Sequence, residues 1–181
     1  MHPQSRIRRH GYHLMSLASI GTLCVVALGL LLAAMPWLPG WNPQSSVWKI
    51  GDMGPEQILA LDRAGRWLAT LSSLAGSLGC LAPLVALRRL GDRLYRYDAL
   101  SPPVAEGFRW LAHSLPLYTL LQFAGWMLGV AASGMAPEGE MRFTFDFGGS
   151  YLLVVACLCL YSVAHVLRLA VAAAEDARGI V

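Results

Sequence analysis

Charge is scarce in this sequence, with 14 basic and 11 acidic side chains among 181 residues, or 14% of the chain. A soluble globular domain carries about 25%. Such a shortage excludes a disordered polyelectrolyte, and four cysteines in so long a chain exclude a small disulfide scaffold. The deficit is also uneven. No Asp, Glu, Lys or Arg occurs from Leu14 to Met35, Trp67 to Leu87, Trp110 to Pro137 or Phe147 to Leu167. Each stretch reaches the roughly 20 residues that a helix needs to cross about 30 Å of hydrocarbon. The sequence predicts an all-α, multi-pass membrane protein, a four-transmembrane-helix antiparallel bundle.

Further absences narrow the function. With no carboxylate inside a span, a small transporter driven by a proton relay is disfavoured. The four cysteines, Cys24, Cys80, Cys157 and Cys159, all fall inside the predicted spans. Quinone-linked disulfide enzymes of this size need cysteine pairs in their outer loops, so each cysteine reads as a small apolar residue. A phosphate loop, a dinucleotide fingerprint, a zinc-protease helix and a nucleophile elbow are all missing. Glu138, Glu140 and Asp146 read as a solvated turn with at most weak cation affinity. No catalytic residue and no metal site is predicted, and the expectation is a non-enzymatic protein.

The layout is a single membrane domain: helix 1 over about 14–35, an outer loop over 36–66, helix 2 over about 67–96, helix 3 over about 102–136, an outer loop over 137–148 and helix 4 over about 149–178. The first apolar stretch, about 22 residues, exceeds the 7 to 15 of a signal-peptide core and reads as a retained helix. Ten Lys and Arg residues lie on the side of the termini and the helix 2–3 connection, against four on the other side (Lys49, Arg63, Arg66, Arg142). The positive-inside rule therefore places the N and C termini in the cytoplasm. Trp37, Trp41, Trp48 and Trp67 gather at the opposite interface, where an indole sets its ring in the headgroups and its N–H in water.

Local signals refine the connections. Pro55 and Glu56 open a short surface helix leading into helix 2. Ser101 followed by Pro102 is an N-cap and first-turn pair for helix 3. Phe143, Phe145 and Phe147 alternate with Thr144 and Asp146, which predicts a short extended segment in the second outer loop, ended by Gly148 and Gly149.

Small residues four apart mark helix packing: Ser72, Gly76 and Cys80 on helix 2, and Gly125, Gly129 and Ser133 on helix 3. Such stripes let two backbones approach closely, between helices 2 and 3 or in a homodimer. Pro83 and Pro116 each remove an amide from the helical ladder, freeing the carbonyls of Gly79 and Ala112. Their position predicts a bundle closed outside and kinked open on the inner side.

Polar residues within or beside a span are candidates for binding. His13, His113 and His165 fall at one depth near the cytoplasmic side, with Gln122 deeper in helix 3. Together they form the candidate set for haem, a metal ion or a quinone. The alternative is that each imidazole simply reaches headgroup water, in which case no cofactor is expected. Arg88, Arg89, Arg93 and Arg96 share one helical face in a cytoplasmic hairpin. Basic residues there anchor to an anionic inner leaflet or dock a cytosolic protein. Direct nucleic-acid binding is not expected, because Asp92 and Asp98 interrupt the patch.

The run LRRLGDRLYRYDALSPPVAEGFRWL and the tail AAEDARGIV resemble an uncharacterised family of bacterial four-helix integral membrane proteins, a domain of unknown function. The likeness lies at Leu87 to Leu90, Tyr95, Asp98, Ser101, Glu175, Asp176 and Val181. The chain departs from the family's pattern at Tyr97 to Leu100, where the family has Gly-Glu before an aromatic, and at Glu175-Asp176, where it has Glu-Asn. Members are often encoded beside a small helix-turn-helix regulator. The resemblance thus implies a membrane partner for such a regulator, and it supplies no catalytic residues.

Overall fold

The structure is a computed structural model that describes residues 3–38, 53, 55–97, 101–136 and 147–179. Five α-helices follow in order: α1 (Pro3–Ala34), α2 (Pro55–Ala60), α3 (Arg63–Arg96), α4 (Pro102–Ser133) and α5 (Phe147–Gly179), with a 3-10 turn at Met35–Trp37 after α1. Four of them are long and apolar enough to cross a membrane, within Ile7–Trp37, Arg63–Arg96, Pro102–Ser133 and Tyr151–Ala174. The protein is an all-α, four-helix, multi-pass membrane protein. Leu17, Leu23, Leu30, Leu120, Leu152 and Leu158 are each 61–73% exposed. A water-soluble fold rarely tolerates so much exposed apolar surface; in a bilayer, acyl chains cover it.

Within the helices, hydroxyls turn back onto their own backbone. Ser19, Thr22, Ser73, Ser77 and Ser162 donate to the carbonyls of Met15, Ala18, Ala69, Ser73 and Leu158 at 2.7–3.1 Å. Each polar group is thereby satisfied without water.

The helices are longer than the charge-free stretches. α1 begins at Pro3 rather than near residue 14, and so includes Arg6, Arg8 and Arg9. Arginine is a good helix former, and a helix has no reason to stop where the hydrocarbon does. α3 starts at Arg63, because Asp62 caps it: its Oδ1 accepts the Gly65 amide at 2.7 Å. α4 ends at Ser133, three residues before the expected limit. α5 begins at Phe147, so Phe147, Gly148 and Gly149 are helical rather than the end of an extended segment. Residues 143–146, which hold the rest of that segment, lie outside the described residues, as do Trp41, Trp48, Glu138 and Glu140.

The chain divides into two compact units. One comprises Met1–Leu23, Ala82–Leu117 and Phe147–Val181. There α1 and α3 cross with their backbones almost touching. A Cβ at Gly91 would lie 2.8 Å from the Met15 nitrogen and 2.9 Å from the Gly11 oxygen, and one at Gly11 would lie 2.9 Å from the Gly91 oxygen. Only glycine fits on either side. α3 and α4 each run unbroken through Pro83 and Pro116.

The other unit comprises Cys24–Leu81 and Tyr118–Asp146. Its core gathers Met35, Met53, Ile58, Leu61, Ala69, Ala132 and Ala136, against which Leu32 and Leu68 pack. Met53, Ile58 and Leu61 of the first loop therefore pack onto the ends of α1, α3 and α4, with Met53 only 1% exposed. Arg66 secures the loop by donating to the Leu61 carbonyl at 3.0 Å and the Leu59 carbonyl at 3.2 Å, carbonyls left unpaired where α2 ends. Trp37 packs edge-on to Trp67 at 5.0 Å and donates its indole N–H to Thr70 Oγ1 at 3.0 Å.

Candidate functional site

The basic hairpin joins the last turns of α3 to the first turns of α4. Its four arginines have different surroundings. Arg93 donates to the Pro103 carbonyl at 2.9 Å and lies 3.7 Å from the Glu106 carboxylate. It ties α3 to α4 and is half-buried, and Gly107 admits the helices this closely, since a Cβ there would sit 2.8 Å from Leu90 Cδ1. Arg96 is exposed but paired, donating to Asp92 Oδ1 at 2.7 Å one turn back. Arg88 and Arg89 are exposed. Tyr95 and Tyr97, 48% and 49% exposed, extend the same helix end, and Tyr12 of α1 approaches Tyr95 at 6.5 Å. The uniform basic face expected from spacing thus resolves into a structural arginine, a locally neutralised one, and two open ones about two helical turns before the exposed Tyr95 and Tyr97.

His113 and His13 have separate neighbours. His113 on α4 places Nδ1 2.7 Å from the Arg109 carbonyl oxygen and 3.2 Å from the Tyr161 hydroxyl of α5. A carbonyl only accepts, so Nδ1 carries the proton and donates to it. That leaves Nε2 alone for any ligand. His13 lies against Tyr12 with ring centroids 6.1 Å apart, and both His13 and His165 are exposed. Among the described residues, no group of three or more His, Cys, Asp or Glu is arranged to hold a metal ion.

The small-residue stripes of α3 and α4 do face each other. Ser72 donates to the Gly125 carbonyl at 2.7 Å, a Cβ at Gly129 would meet Ser72 Oγ at 3.2 Å, and one at Gly125 would meet the Ser72 oxygen at 3.0 Å. Gln122 donates to the Gly76 carbonyl at 3.4 Å and to Cys80 Sγ at 3.3 Å. Gln122 is thus a packing residue between the two helices. Ser133 turns back to the Val130 carbonyl at 2.8 Å. A cavity of about 360 Å³ lies beside this seam, bounded by α1 as well, with Ser72, Ser73, Ser77 and Gln122 in its polar lining.

No protein-family model matches the chain, and neither a curated protein nor a solved structure does. The geometry is therefore the main guide to function. Sequence reasoning missed two features of it. Gly11 and Gly91 are isolated glycines with no partner at a repeat spacing, so nothing in the linear pattern marks their contact. Cys157, read as a small apolar residue, directs its thiol to the Ala112 carbonyl at 3.5 Å, the carbonyl that Pro116 frees. The proline flagged the vacancy, but only the fold names the donor.

Proposed function

We propose that the protein is a non-enzymatic partner of a cytosolic protein, lying in a bacterial inner membrane with both termini inside and offering the α3–α4 hairpin as its docking face. The observation that carries this reading is the contrast among the four arginines. Arg93 holds the hairpin together, while Arg88 and Arg89 are exposed on the last turns of α3, which lead to the exposed Tyr95 and Tyr97. Two exposed cations and two exposed aromatic rings along one helix end suit an acidic, partly apolar partner surface. The distribution of ten basic residues against four supports a cytoplasmic position for this face. The family resemblance points to a helix-turn-helix regulator as the partner.

The test is recovery of that regulator from membranes on the tagged protein. Arg88→Glu with Arg89→Glu is expected to abolish recovery while insertion and yield are preserved. Undiminished recovery from the correctly inserted variant would sink the reading.

A further inference from the structure

We propose that the cleft between the N-terminal turns of α4 and the C-terminal turns of α5 is a binding site for the phosphate headgroup of an anionic phospholipid, held by Arg109 and Arg168. The cleft encloses about 400 Å³ and is lined by these two arginines and Glu106, with Ala105, Pro103 and Val171 among its apolar walls. That volume is in the range of small-ligand sites. Both arginines are exposed, and among the described residues neither guanidinium has a protein partner. Glu106 does not cancel them. Its carboxylate lies 3.7 Å from Arg93 and accepts the Trp110 indole N–H at 3.4 Å, so it is already occupied by another cation and another donor. The lining keeps a positive excess.

The position of the pair selects a lipid over a soluble anion. Arg109 is the last charged residue before the charge-free stretch of α4, and Arg168 is the first after that of α5. Two helices thus bring their boundary arginines to one cleft at the level where phosphates of a bilayer lie. Trp110, 51% exposed, stands next to Arg109 as an interfacial residue. Beyond the cleft, α5 turns Leu158, Tyr161 and Val154 outward, all exposed, giving acyl chains an apolar wall. Guanidinium forks match phosphate oxygens bidentately, which ammonium groups do not. The site is independent of any partner at Arg88 and Arg89.

Native mass spectrometry of the full chain in a neutral detergent, titrated with phosphatidylglycerol or phosphatidylcholine, tests this directly. Phosphatidylglycerol is expected to bind at least about tenfold more tightly, and Arg109→Gln with Arg168→Gln to weaken it about 30-fold, the combined effect of two basic residues at a membrane surface. Arg168→Gln alone, at an exposed position, is expected to lose about fivefold and serves if the double variant is not recovered folded. Arg88→Gln with Arg89→Gln is expected to bind like the parent. Equal affinity for the two lipids, or unchanged phosphatidylglycerol binding in the Arg168 variant, would overturn the proposal. So would full displacement of phosphatidylglycerol by millimolar inorganic phosphate, which would make the cleft a site for a free anion.

Discussion

The thiol of Cys157 on α5 lies 3.5 Å from the carbonyl oxygen of Ala112 on α4, for which Pro116, four residues on, has no amide hydrogen to offer. One helix therefore supplies the donor that a proline removed from its neighbour. In lipid no water can take its place, so the contact helps decide which face of α5 meets α4. A thiol is a weak donor, and the contact is worth a fraction of a kcal/mol rather than several.

Cys157→Ala is accordingly expected to lower stability in detergent by about 0.6 kcal/mol, the average for a hydrogen bond between membrane helices. Cys157→Ser keeps a donor and is expected to match the parent. In a Pro116→Ala background, where the helix regains its own amide, the cost of Cys157→Ala is expected to shrink. A double-mutant cycle on unfolding midpoints measures this coupling. Strict additivity would remove the pairing from the description of the interface.

Gly91→Ala tests the α1–α3 crossing. Elsewhere in a helix interior this substitution stabilises by about 1 kcal/mol. Here the new Cβ would stand 2.8 Å from the backbone nitrogen of Met15, an atom that cannot move without its helix, so a loss of about 1–3 kcal/mol is expected. Thermal unfolding of the purified variant gives the sign. Gly76→Ala is the control, since its nearest neighbour is the end of a flexible side chain, Gln122 Oε1 at 3.3 Å.

Arg93 and its neighbours are expected to separate cleanly. Arg93→Gln removes the bond to the Pro103 carbonyl and is expected to cost about 1 kcal/mol, the group being partly exposed. Limited proteolysis between α3 and α4 should then quicken. Arg88→Gln and Arg89→Gln are expected to change stability by less than about 0.5 kcal/mol. Equal proteolysis rates in all three variants would contradict the structural role of Arg93.

The spans were legible because exclusion of charge is a property of whole stretches, insensitive to detail. The starts at Pro55 and Pro102 were legible too, since proline at a first helical turn is a local rule that the fold has no reason to override. The Ser72–Gly125 contact could be anticipated from small residues repeating every four positions. Helix limits were harder, as α1 continues over Arg8 and Arg9 once outside the hydrocarbon. The alternation at Phe143 to Phe147 was too short to resist helix propagation at its last residue. For the histidines, a shared depth fixes one coordinate, while rotation about each helix axis decides whether side chains meet. His113 turns to Tyr161 and His13 to Tyr12. Likewise, spacing put four arginines on one face but could not show that Arg93 is engaged by Pro103 and Glu106.

The proposed docking role requires the α3–α4 hairpin to lie on the cytoplasmic side, a placement inferred from ten basic residues against four. The most direct measurement is labelling by a membrane-impermeant thiol reagent in intact cells, using a cysteine-free background with single Ser101→Cys or Ser45→Cys replacements. Ser45→Cys, in the first loop, is expected to label, and Ser101→Cys only after the membrane is permeabilised. Labelling of Ser101→Cys in intact cells, with Ser45→Cys protected, would contradict the orientation and with it the cytosolic partner.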